Sequence, residues 1–193
     1  MRKLLLGIFL TATLMADAQE LPKAYNQLIK EVEAPMIQWR RHFHEFPELS
    51  NRETNTGKYI ADFLKTLPNV EVRYPVAKTG VVAVLKGGKP GATIALRADI
   101  DALPVYERTP VPFASKVTTE FNGQKVNVMH ACGHDSHTAM LMATAKVLST
   151  LQKDLPGTVV FLFQPAEEGP PANEEGGAPL MIKEGALDNP KVE

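Results

Sequence analysis

The run GTVVFLFQP, residues 157 to 165, limits what this chain can fold into more than any other stretch. Residues 159 to 163 are five consecutive apolar side chains with no polar alternation, so a strand there must be covered on both faces. Covering both faces takes helices, and the flanking text supplies them. Leu28, Val32, Met36, Trp39 and Phe43 recur at helical spacing over residues 22 to 46, with Pro35 expected to kink or restart the helix. Ala139, Met142, Ala143, Val147 and Leu151 do the same from Asp135 to about Gln152, and a short apolar helix is expected around Leu180 to Ile182. Ser50 and Glu53 form an S-x-x-E pattern ahead of Tyr59, Ile60, Phe63, Leu64 and Leu67, which predicts a capping box and a further amphipathic helix.

Three more extended segments precede the central one: VEVRYPV from Val70, VVAVLK from Val81 and ATIALRA from Ala92. The GGKPG turn between the last two predicts that they pair as a hairpin. Residues 103 to 130, with Pro104, Pro110 and Pro112, read as a long surface excursion carrying a short strand near residues 125 to 129. Helices alternating with buried strands give an α/β fold, layered around a central sheet.

At the start, two basic residues, an apolar run from Leu4 to Met15 and Ala16-Asp17-Ala18 have the form of a secretory signal peptide cut after Ala18. The run is too short to span a bilayer. Cleavage leaves 193 − 18 = 175 residues, enough for one domain with a real core. Losing Arg2, Lys3 and Asp17 moves the formal charge from −1 to −2, and basic residues cluster no further than pairs such as Arg40-Arg41. Nucleic acid and acidic membrane surfaces are therefore not expected partners. The expected product is a secreted or periplasmic soluble chain.

In an exported protein, a single cysteine calls for a reactive thiol or a metal bond. Cys132 lies in VMHACGHDSHT beside His130, His134 and His137. An oncoming helix start predicts a lowered thiol pKa, and thiolate with imidazole suits zinc or a related metal, or a nucleophile; a buried structural cysteine is the plainer alternative. Glu167-Glu168 follows the central strand, at the end where open α/β sheets bind ligands. Neighbouring side chains diverge, so one carboxylate can hold a metal while the other takes a proton from water, although a solvated surface pair fits the same text. Asp99 and Asp101 end the ATIALRA segment, as turn caps or as support for a ligand. His42 and His44 read as a basic helix end, and Glu174-Glu175 as a flexible surface pair.

The segments RRHFHEFPELS, LRADIDALP, MHACGHDSHTAML and FLFQPAEEG together resemble the M20 metallopeptidase superfamily, in its amidohydrolase branch of N-acyl-amino-acid, auxin-conjugate and hippurate hydrolase-like enzymes. The resemblance implies a layered zinc-peptidase-like catalytic domain with helices on a mixed sheet. It implies two divalent metal ions, Zn or Mn, with Cys132, His134 and Glu168 as ligands and Glu167 as general base for a metal-bound water. The substrate would be a small N-acyl amino acid or peptide, and the full-length form could be a homodimer. Asp99 falls where many relatives carry the Asp of a His-x-Asp motif, with Arg97 in place of the His. Family length implies that residues 19 to 193 are the N-terminal part of the catalytic domain, incomplete at the C-terminus, with the lid and dimerisation domain and two further histidines beyond. An inactive truncated fragment with a partial metal site, or a cysteine hydrolase using Cys132 with His134 or His137, are the other expectations.

Overall fold

A computed structural model describes residues 23–193; the expected signal peptide lies outside the described residues. The chain runs α1 (Lys23–Glu45), α2 (Thr54–Lys65), β1 (Val70–Val76), β2 (Gly80–Lys86), β3 (Lys89–Asp99), β4 (Thr118–Phe121), β5 (Gln124–Asn127), α3 (His134–Thr150), β6 (Pro156–Gln164) and α4 (Gly177–Lys183). The main sheet has the order β1-β2-β6-β3 and is mixed, since β6 runs antiparallel to β2 and parallel to β3. Strand β6 is thus central, as its unalternating sequence requires.

The two faces of β6 explain that sequence. Val159, Phe161 and Phe163 join Val81, Ala83 and Leu85 of β2 in a core closed by Ile60 and Leu64 of α2 and Met142 and Ala145 of α3. Val160 and Leu162 point the other way, with Val82, and meet Leu180 and Met181 of α4. Burying each such side chain contributes about 1.5–3 kcal/mol, so an alternating sequence here would forfeit one whole layer. Helix α1 packs along α3, and Pro35 sits within it without ending it.

Three expectations change. β2 and β3 do not form a hairpin; β6 pairs with both and separates them. The Gly87-Gly88 turn instead docks on the α3–β6 link, where Gly87 N–H donates to the Gly157 carbonyl at 2.8 Å. The excursion carries a two-stranded hairpin, β4–β5, rather than one strand. Finally, Ser50 and Glu53 do not cap α2: the Glu48 carboxylate accepts the Asn55 and Thr56 N–H groups of its first turn, and the Ser50 and Glu53 side chains reach elsewhere. Because β3 and β6 are parallel and joined through α3, the ends of both strands and the start of α3 meet at one edge of the molecule.

Candidate metal centre

At that edge Gly133 takes a left-handed φ of 94°, a conformation that favours glycine, and the chain turns from an extended approach into α3. His134 is thereby buried at the first helical position. Its Nδ1 lies 2.8 Å from the Asp101 carbonyl. A carbonyl only accepts, so Nδ1 carries the hydrogen and Nε2 is the atom presented outward, 3.6 Å from Glu167 Oε2 and 3.9 Å from Glu168 Oε1. Asp101 Oδ1 adds an ion-pair contact to Nδ1 at 3.2 Å, while Oδ2 accepts the Ser50 hydroxyl at 2.8 Å and the Glu168 N–H at 3.0 Å. The ligand atoms of Cys132, His134 and Glu168 all lie within 4.8 Å of one another.

The electrostatics of the cluster favour a cation. Burial lowers the His134 pKa, but its hydrogen bonds to Asp101 and the charges of Asp101 and Asp99 lift it to about 9. The Cys132 thiol is also pushed up, first by its hydrogen bond to Glu168 and then by the charges of Glu168, Glu167 and Asp101. This corrects the expected thiolate: Cys132 is exposed, and nearby carboxylates outweigh the helix start. Buried Glu168 Oε1 and Asp101 Oδ1 have no hydrogen-bond partner. The unpartnered Glu168 oxygen, beside a thiol and an outward-facing imidazole nitrogen, completes a donor set that a divalent transition metal fits.

Other candidates fall differently. Asp99 pairs with Arg97 at 2.9 Å and lies close to His134 and the exposed His137, but the support of His134 comes from Asp101. His44 is not a surface helix end. It is buried, with Nδ1 2.8 Å from Asp135 and Nε2 2.9 Å from Glu107. Burial drives His130 down to about 4, which keeps it neutral. Glu174 is no free surface carboxylate either; it accepts from Arg52, Lys78 and Asn51 and ties its loop to the start of α2 and to the β1–β2 turn. Sequence reasoning left Ser50 and Glu53 out of the site, and only an unused S-x-x-E pattern marked them.

Residues 95–193, just over half of the chain, match the profile of peptidase family M20/M25/M40. The chain belongs to this peptidase family. An N-acyl-L-amino acid amidohydrolase of Geobacillus stearothermophilus is 45% identical over 167 residues, covering 86% of this chain and 42% of that protein. An N-acetylcysteine deacetylase of Bacillus subtilis is 48% identical, covering 79% of this chain and 37% of that protein. Among solved structures, Bacillus subtilis YXEP, a dinuclear metal-binding peptidase of the M20 family, superposes with a TM-score of 0.70 at 44% identity, covering 82% of this chain and 41% of that one. The chain therefore spans about two fifths of the length of these M20 relatives. All four segments that carried the resemblance lie among the described residues, and the last three meet at the edge that holds Cys132, His134, Glu167 and Glu168.

Proposed function

We propose that this chain carries the water-activating part of a metal-dependent amidohydrolase acting on N-acyl amino acids or small peptides. The observation that carries the reading is the convergence within 4.8 Å of Cys132 and His134, at the start of α3, with Glu168, more than thirty residues further on beyond β6. These three would hold metal. A divalent ion, Zn or Mn, would supply Lewis acidity there, polarising a carbonyl and bringing the pKa of water toward ~7.

The chain's own groups do the rest. Asp101 fixes the tautomer and orientation of His134 through Nδ1, leaving Nε2 free to bind. Glu167, with a partly exposed side chain, stands beside that nitrogen and also lines a cavity of about 550 Å³ with Arg97, Gln164, Gly176 and Leu180. It takes a proton from water and returns it to the departing amine. A cysteine nucleophile has less support, because the neighbouring carboxylates raise the pKa of the Cys132 thiol and so disfavour its thiolate. Export follows as part of the same proposal; N-terminal sequencing of the secreted protein should begin at Gln19, and an intact Met1 would refute it.

Cobalt titration tests the metal reading without any substrate. Co²⁺ added to the 193-residue chain should give a near-ultraviolet thiolate-to-metal absorption, absent in Cys132→Ser and in Glu168→Ala. A wild-type chain that folds and shows no such band would sink the reading.

A further inference from the structure

The S-x-x-E pattern that caps no helix has another use. Glu53 is fully buried, and its two carboxylate oxygens are both engaged. Oε1 accepts the Ala166 N–H at 2.8 Å and Oε2 accepts the Thr79 hydroxyl at 2.6 Å. Ala166 is the residue at which the chain leaves β6 and turns into Glu167, and it holds a φ of 50°, left-handed for a non-glycine residue. Such a conformation persists only where the surroundings fix it. Here they do so on both sides, since the Glu168 N–H is held by Asp101 two residues further on. Close packing at Gly57, where any side chain would strike the Thr79 carbonyl, seats the first turn of α2 against the segment that carries Thr79.

We propose that Glu53 is a positioning residue of the site: its carboxylate fixes the left-handed turn at Ala166 from which Glu167 and Glu168 face His134 and Cys132. The inference rests on the reading of Glu168 as a metal ligand, and it names a residue 113 positions from the turn that it holds. Glu53 itself touches neither metal nor substrate.

The test compares three variants of the 193-residue chain. Glu53→Gln keeps an oxygen for the Ala166 N–H and can donate its amide to Thr79. Glu53→Met keeps the length and loses both bonds. Thr79→Val removes the Thr79 bond alone and serves as a control for general loss of stability. The expected Co²⁺ dissociation constant rises at least ~10-fold in Glu53→Met, the scale of losing a group that orients a ligand, and stays within about twofold of wild type in the other two. Hydrogen exchange at the Ala166 amide should quicken in Glu53→Met only. Unchanged cobalt affinity in a folded Glu53→Met, or equal losses in Glu53→Met and Thr79→Val, would overturn the assignment. If Glu53→Met does not fold, the wild-type chain decides: the Ala166 amide must exchange as slowly as those of β6, and fast exchange refutes the clamp. If wild type binds no cobalt, the metal reading fails by itself, and the Ala166 exchange rates still decide for or against Glu53.

Discussion

On the amidohydrolase activity proposed above, Glu167→Ala should lower turnover of an N-acyl amino acid by about 10²–10⁴-fold while leaving cobalt binding at the wild-type level. The separation follows from where the two adjacent carboxylates stand. Glu168 shares the 4.8 Å cluster with Cys132 and His134, and its buried Oε1 lacks a partner. Glu167 is the more exposed of the two, with side-chain exposures of 37% against 21%, and its Oε2 is 3.6 Å from His134 Nε2. Truncating Glu167 thus removes a proton acceptor and leaves the three donor atoms in place. Truncating Glu168 takes away a donor, so Glu168→Ala should lose the metal and, with it, turnover. Released amine measures the first quantity and cobalt absorption the second, so the two losses can be told apart. Wild-type turnover in Glu167→Ala would refute its role as base, and undiminished cobalt absorption in Glu168→Ala would refute that residue as a ligand.

What the sequence disclosed of this arrangement divides along physical lines. Burial writes itself into local text: the apolar run of β6 and the helical spacing in α1, α2 and α3 record which faces are covered, and those elements stand as expected. Strand partnership does not. The GGKPG turn sits where a hairpin would need one, but β6 pairs with both β2 and β3 over most of their length, and nothing near residue 87 announces a partner seventy residues later. The chemistry divides the same way. Cysteine, histidine and paired glutamates advertise themselves by type, so Cys132, His134, Glu167 and Glu168 stand out in the sequence as candidates, and the structure brings them together. Groups that act through long-range hydrogen bonds do not stand out: Ser50 and Glu53 looked like a cap, His44 like a helix end and Glu174 like solvated surface. The acid state of Cys132 was misjudged for a related reason. A helix start is visible in sequence, whereas the carboxylates that oppose it arrive from residues 101, 167 and 168.

Glu53→Gln should stabilise the metal-free chain relative to wild type above pH 7, by about 3 kcal/mol more than it does at pH 4.5. Burial lifts the Glu53 pKa from 4.5 to about 7, against hydrogen bonds from Thr79 and from the backbone, including that of Ala166, which lower it; the nearby charge of Asp101 adds to the rise. An unfolded chain releases this proton near 4.5, whereas the folded chain keeps it until about 7. Between those values the folded state binds the extra proton, so wild-type stability falls as pH rises through the window. Below 4.5 both states are protonated and the penalty is absent; above 7 it is fully present. The span of 7 − 4.5 = 2.5 pKa units, at ~1.36 kcal/mol each, gives the magnitude. Glutamine cannot ionise, so subtracting the two urea-unfolding free energies at each pH cancels the groups that do not interact with Glu53 and leaves its titration together with its coupling to Asp101. A difference that is flat with pH would show that the buried carboxyl does not hold its proton. One that moves against the variant as pH rises would mean that the Thr79 and Ala166 hydrogen bonds outweigh burial, and that the turn at Ala166 needs the full negative charge to keep its shape.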